Sequence, residues 1–200
     1  GTRFWQLLNS KFLTNMHRFQ FLLAFILPPA SVYGFTHEGI HCTLPLVIIF
    51  IFFPVLELFL PLDSANLDEK MTADEKNARF YDWLLYVAIP VYLLTFACFL
   101  GVMPHTPFGS LEFWCRVCTM GLICAIFAFN IGHELSHRTN EQVPVFLGQI
   151  LLLSVLNLHF IPYHNAGHHR NVGKRTDPST AKKGEWLYTF WFRSQIGGYL

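Results

Sequence analysis

The residues in this sequence best suited to chemistry are five histidines in two short clusters, HELSH from His133 and HNAGHH from His164. On an α-helix, residues four apart lie on the same face. The spacing therefore predicts that His133 pairs with His137, and His164 with His168, each pair gripping one metal ion. His169 lies about 100° further round the helix, where it could reach a second, neighbouring ion.

The composition places these clusters in a membrane protein. The 200 residues are 52% hydrophobic and 14% charged, with 21 phenylalanines, whereas soluble domains average about 25% charged residues. The net charge of +1 comes without a basic domain, so we expect no nucleic-acid partner. The five cysteines are an odd number and mostly lie in apolar stretches, which is typical of small buried hydrophobes.

Four apolar segments approach the length of about 20 residues that crosses a bilayer. They are residues 19–35, 44–60, 83–103 and 113–131. Short loops join the first segment to the second and the third to the fourth, which predicts two transmembrane hairpins. We therefore expect an all-α, polytopic membrane helix bundle, in a bacterial inner membrane or its equivalent.

A fifth apolar run, residues 143–161, separates the two histidine clusters. If the four spans alternate, the lysines and arginines that lie before residue 140 and outside the fourth span face one side, and the two short hairpin loops carry neither. The positive-inside rule makes that side cytoplasmic. A crossing by the fifth run would place the clusters on opposite faces, and this run is the most polar of the five. We predict that it is re-entrant or lies in the membrane plane, with both clusters at the cytoplasmic end.

Two motifs carry a family resemblance: NIGHELSHR at residues 130–138, and the long segment at residues 159–190 that contains the second cluster followed by Thr176-Asp177-Pro178. They resemble the integral-membrane alkane hydroxylase and xylene monooxygenase family, a branch of the histidine-rich di-iron oxygenases and desaturases. The H-x₃-H-H spacing is similar to the hydroxylase branch, whereas acyl desaturases usually carry H-x₂-H-H. Tyr163 departs from the family, where glutamate is common, and this bears on the substrate subclass.

The resemblance implies a non-haem di-iron monooxygenase that uses O₂ to hydroxylate an unactivated C–H bond of an alkane or alkyl group. Imidazole ligands alone do not select the metal, so the expectation of two iron ions per full-length chain comes from the family. Electrons would come from a rubredoxin or ferredoxin-type donor with an NADH-dependent reductase. The basic segment at residues 170–183 is a plausible docking patch for an acidic carrier.

The resemblance also implies roles for single residues. The metal ligands would be His133, His137, His164, His168 and His169, with no catalytic residue separate from the metal centre. Glu134 and Asp177 could accept the free ring N–H of a ligating histidine, and we expect His159 to be hydrogen-bonded close to the ligands. Family members carry further histidine segments, so we expect residues 1–200 to form a single membrane-embedded oxygenase domain that is incomplete at its C-terminus.

Alternative functions stay open at this stage. A fatty-acid or lipid desaturase or hydroxylase would use the same di-iron chemistry. The HELSH segment also matches the H-E-x-x-H signature of zinc peptidases, in which Glu134 would be the general base of an intramembrane metalloprotease. A peptidase needs one more ligand, whereas the second cluster supplies three histidines. A non-catalytic relative is a further possibility.

Overall fold

The computed structural model describes residues 21–59 and 79–199, and the regular structure in these two ranges is entirely helical. The helices are α1 (Phe21–Thr36), α2 (Gly39–Phe59), α3 (Arg79–His105), α4 (Leu111–Ser136), α5 (Gln142–Ser154), α6 (residues 160–171) and α7 (Leu187–Tyr199). The chain is an all-α polytopic membrane helix bundle, as the sequence predicts.

Three of these helices are long and apolar enough to cross a membrane: α2, α3 and α4, with 21, 27 and 26 residues. At a rise of 1.5 Å per residue they extend over about 30–40 Å, which matches the hydrocarbon core. They confirm the apolar segments predicted at residues 44–60, 83–103 and 113–131. The first predicted span begins at Phe19, outside the described residues, and α1 is described over 16 residues. Phe50, Leu58 and Phe59 of α2 stay exposed, as lipid-facing residues do.

Residue contacts divide the chain into two compact units, Gly1–Ile123 and Cys124–Leu200, and the division falls inside α4. In the first unit, α1 packs against α3 and against the first half of α4. Its buried residues include Phe35, Tyr92 and Ile123. The single-domain interpretation of residues 1–200 stays a prediction.

In the second unit, α5 packs closely on the last turns of α4. Gly132 and Gly148 make this approach possible, because a Cβ at Gly132 would lie 2.9 Å from Leu152 Cγ and one at Gly148 would lie 3.0 Å from the Gly132 carbonyl oxygen. Helix α5 has 13 residues and spans about 20 Å, well short of a membrane crossing. Its length agrees with the predicted re-entrant or in-plane segment.

Helix α5 ends in a Schellman motif. The amide of Asn157 donates to the Leu152 carbonyl at 2.8 Å, and the amide of Leu156 donates to the Leu153 carbonyl at 2.9 Å. Leu156 occupies the left-handed position with φ 55°, where glycine is usual. The chain then turns into α6, so residues 143–161 do not form one continuous helix.

Candidate metal centre

Four histidine side chains meet in the second unit with their Nε2 atoms directed at one another. The His133 Nε2 atom lies 2.7 Å from that of His164 and 2.9 Å from that of His137, and His164 Nε2 lies 3.0 Å from His169 Nε2. Ligand atoms of His133, His137 and His164 all lie within 4.8 Å of one another, close enough to hold one metal ion. The structure thus brings both sequence clusters to the same place.

The backbone around the second cluster explains which histidines pair. Residues Tyr163–His168 form a π-helical turn, in which hydrogen bonds join residues five apart instead of four. This wider turn places His164 beside His169, while the Nδ1 atom of His168 lies against Asp177. The expected i, i+4 pairing therefore holds for His133 with His137, but the partner of His164 is His169.

The donor set fits a metal ion of the imidazole-binding class. Metal–nitrogen bonds of about 2.1 Å place two ligands at right angles about 3.0 Å apart, and the Nε2 separations are close to that value. Burial, followed by the neighbouring histidines His133, His169, His137 and His168, lowers the pKa of His164 to about 4. Its imidazole is therefore neutral at physiological pH, and only a neutral imidazole can ligate a metal.

The Nδ1 atom of His168 is hydrogen-bonded to the carboxylate of Asp177. This atom lies 2.8 Å from Asp177 Oδ2, and Asp177 is only 2% exposed. The carboxylate also accepts from the Thr180 hydroxyl at 2.6 Å, the Ser179 amide at 3.0 Å and the Tyr163 hydroxyl at 3.2 Å. An Nδ1–H donated to Asp177 leaves the Nε2 lone pair of His168 free for a metal.

The electrostatics of Asp177 follow from these contacts. Burial alone would raise its pKa, but the hydrogen bonds from Thr180, Ser179 and His168 outweigh burial and hold the pKa below its usual range. Asp177 is therefore an anion in the folded protein, and it can accept the Nδ1–H of His168. Burial raises the pKa of the Tyr163 hydroxyl, so Tyr163 stays a neutral donor.

Two phenylalanine side chains cover one side of the histidine cluster. The Phe160 ring stacks on His164 at 4.5 Å between centroids and meets His133 edge-on at 5.4 Å, and Phe129 packs on Phe160 at 4.8 Å. A cavity of about 70 Å³ lies beyond Phe160 and Tyr163, which is room for about two water molecules. The aromatic side chains separate the histidines from this small space.

Comparison with known proteins identifies relatives of this chain. Residues 111–200 match the fatty acid desaturase family model. An alkane 1-monooxygenase of Alcanivorax borkumensis is 30% identical over 146 residues, which are 73% of this chain and 36% of the relative. The alkane 1-monooxygenases of Ectopseudomonas oleovorans and Pseudomonas putida are each 30% identical over 82% of the chain and 41% and 40% of their own lengths. This chain is homologous to the alkane 1-monooxygenases.

The chain spans about two fifths of the length of these alkane 1-monooxygenases. No solved structure matches it significantly. The arrangement of both histidine clusters is therefore described from this chain alone.

The remaining residues predicted to support the metal differ in their surroundings. Glu134 is exposed, and within residues 124–199 no hydrogen bond is found between its carboxylate and a candidate ligand. The His159 ring stacks on Tyr199 with centroids 3.5 Å apart, and burial lowers its pKa. Among these three residues, Asp177 is the one for which residues 124–199 show a direct hydrogen bond to a candidate ligand, His168.

Several contacts that organise the metal centre could not be predicted from the sequence. The Asn165 amide donates to the Ser136 carbonyl at 3.1 Å and links the two clusters. Tyr163 donates to Ser179 at 2.8 Å as well as to Asp177. Arg193 of α7 donates hydrogen bonds to the Pro178 and Thr180 carbonyls in the loop after Asp177. Tyr163 and Asn165 lie inside the second family motif and Arg193 lies just after it, but the sequence does not show their partners, which are up to 29 residues away.

Proposed function

We propose that the full-length protein is a membrane non-haem di-iron monooxygenase that hydroxylates an unactivated C–H bond of an alkane or alkyl group with O₂. The observation that carries this proposal is the convergence of histidine Nε2 atoms from both clusters. The printed names of the relatives support it. Bound iron would supply O₂ activation and C–H oxidation, which protein side chains alone cannot perform.

The chain's own residues would hold the metal and control its surroundings. His133, His137, His164 and His169 face one another and would provide the ligands nearest in space. His168 would add its Nε2 atom. Two ions need more donors than these five imidazoles supply, so the proposal includes further ligands elsewhere in the full-length protein.

Residues around the ligands would fix the orientation of the histidines and limit the access of water. Asp177 would fix the tautomer of His168 and raise the basicity of its Nε2 atom. Phe160 would shield His133 and His164 from water on the side of the small cavity.

Substitutions at the shared H-E-x-x-H motif test this function against a zinc peptidase. Because no hydrogen bond joins the Glu134 carboxylate to a candidate ligand within residues 124–199, we expect Glu134→Gln to keep its iron and to retain hydroxylation within about tenfold of the unchanged protein. Replacing His137 or His164 by alanine should abolish hydroxylation and lower the iron content, since each change removes a donor. Metal analysis and alkane turnover on purified full-length variants measure both effects.

The opposite pattern would overturn the oxygenase proposal. A peptidase needs Glu134 as the general base for zinc-bound water, so Glu134→Gln would eliminate turnover and leave zinc fully bound. Full iron occupancy in both alanine variants would also contradict the assignment of these histidines as ligands.

A desaturase is the second candidate, because residues 111–200 match the fatty acid desaturase model. Both reactions begin with the removal of hydrogen from an unactivated carbon and differ in whether oxygen enters the product. Incubation with an alkane and, separately, with a fatty acyl substrate under ¹⁸O₂ distinguishes them. A labelled alcohol supports the monooxygenase, and an unlabelled alkene supports the desaturase.

The electron donor would dock on a basic cleft beside the centre. Lys174, Arg175, Lys182 and Lys183 line an open space of about 450 Å³ within residues 173–183. We propose that it receives a small acidic electron-transfer protein of the rubredoxin or ferredoxin class, reduced by an NADH-dependent enzyme. Complementary charge raises the association rate and makes it sensitive to salt.

The last part of the proposal concerns the side of the membrane that the histidine centre faces. The apolar helices and the relatives indicate a membrane protein, and we propose that the histidine centre faces the cytoplasm. The support is the absence of lysine and arginine from the short hairpin loops, together with the basic residues in the segment after α6.

A further inference from the structure

Arg193 of α7 makes four hydrogen bonds, all to the segment between Asp177 and α7. Its Nε and Nη2 atoms donate to the two oxygens of Glu185 at 2.8 and 2.7 Å. Its Nη1 atom donates to the Pro178 carbonyl at 2.9 Å, and Nη2 donates again to the Thr180 carbonyl at 3.0 Å. The planar guanidinium thus joins one carboxylate and two backbone carbonyls at once, a geometry that a lysine ammonium does not reproduce.

These contacts are sheltered from water. The side chain of Arg193 is 26% exposed and that of Glu185 is 9% exposed. The paired guanidinium lowers the pKa of Glu185 to about 2, so the pair stays charged. Bidentate, partly buried pairs hold their geometry better than the isolated surface pairs whose contribution is small.

The segment that Arg193 contacts directly follows Asp177, the residue hydrogen-bonded to His168. Pro178 directly follows Asp177, and Thr180 lies three residues after Asp177 and donates its hydroxyl to the Asp177 carboxylate. Helix α7 also packs against this segment, because Gly197 contacts Pro178. A continuous set of contacts therefore runs from Arg193 through the backbone at Pro178 and Thr180 to Asp177 and His168.

We propose that Arg193 is a positioning residue for the metal centre. It fixes the backbone on both sides of Ser179, so that the Asp177 carboxylate stays in place to accept the Nδ1–H of His168. This inference rests on the proposed metal-binding function and adds α7 to the parts of the chain that determine metal affinity.

Metal affinity of the full-length protein tests this role without depending on turnover. The metal-free protein in detergent is titrated with Co²⁺, and the affinity and visible spectrum of the bound ion are recorded. We expect Arg193→Gln to weaken Co²⁺ binding by about 10–100-fold, the range for groups that support ligands. Glu185→Gln keeps the contacts to the carbonyls and should weaken binding less. Arg193→Lys should recover only part of the loss.

Two comparisons separate positioning from general stability. Ile196→Ala changes an exposed side chain of the same helix, since Ile196 is 60% exposed, so its Co²⁺ affinity should equal that of the unchanged protein. Asp177→Asn should weaken binding as Arg193→Gln does, and the double variant should be little weaker than either alone, because both act through His168. A change in the Co²⁺ spectrum of Arg193→Gln, with Tm close to the unchanged value, would mark altered ligation.

The outcomes distinguish this inference from the proposed function. Unchanged Co²⁺ affinity in Arg193→Gln, or losses that add fully in the double variant, would overturn the positioning role. If Arg193→Gln does not fold, Glu185→Gln decides, and unchanged affinity in that variant would overturn it equally. His164→Ala is the reference: if it also binds Co²⁺ normally, the proposed metal centre itself fails.

Discussion

Replacing Gly132 by alanine should destabilise the protein through the contact between α4 and α5. An ordinary van der Waals contact has at least about 3.4 Å between carbon atoms, whereas the added Cβ would lie 2.9 Å from Leu152 Cγ and 3.2 Å from the Gly148 carbonyl oxygen. Leu152 is fully buried and the second neighbour is backbone, so neither moves freely. The helices must separate by about 0.5 Å, and overpacking of this kind costs about 1–3 kcal/mol.

Gly121, eleven residues earlier in α4, is the matched control. A Cβ there would meet nothing within 4 Å, so Gly121→Ala carries only the helix-propensity gain of about 1 kcal/mol. Gly132→Ala has the same gain offset by overpacking, and the two variants should differ in the free energy of unfolding by about 1–3 kcal/mol. Equilibrium unfolding in mixed micelles measures both. Equal stabilities would refute the close packing of α4 on α5.

Three further predictions concern the turn after α5, the basic cleft and the topology. Leu156→Asn should raise the free energy of unfolding by about 1 kcal/mol, because asparagine tolerates the left-handed backbone better than leucine; an unchanged value in the same micelle assay would argue against that turn. Lys183→Glu should slow reduction by an acidic protein donor, most strongly at low salt, and leave reduction by a small neutral reductant unaltered; equal effects on both donors would exclude docking at the cleft. Single cysteines at Thr139 and Lys182 should react with an impermeant thiol reagent from the cytoplasmic side, and one at Phe108 from the other; opposite accessibility of Thr139 and Lys182 would mean that the segment between the clusters crosses the membrane.

The membrane helices could be predicted from the sequence because their signal is local. A run of about 20 apolar residues needs no tertiary partner to be recognised, and α2, α3 and α4 lie where the hydropathy places them. The polar residues of α5 and the charge distribution of the sequence predict that this segment does not cross the membrane, and its length of 13 residues agrees with that prediction. The left-handed turn at Leu156 could not be predicted, because leucine gives no sign of that conformation.

The centre was only partly predictable. The residue types and their clustering identified the histidines, but the assumption of regular α-helical geometry gave His164 the wrong neighbour. A π-helical turn has no simple sequence signature, and it moves His169 into the place where His168 was expected. Arg193 could not be found at all, since its role depends on a loop that folds back over α7. Contacts of this kind are long-range and follow from packing rather than from periodicity.

Elemental analysis of the purified full-length protein, with and without His164→Ala, tests whether the two histidine clusters together hold iron. His164 is the buried histidine that contacts both His133 and His169, so its loss should remove the closest approach of Nε2 atoms between the two clusters. We expect iron, about two ions per chain by the family resemblance, and a clear loss of iron in the variant. Stoichiometric zinc at one ion per chain, or iron unchanged by His164→Ala, would contradict this expectation.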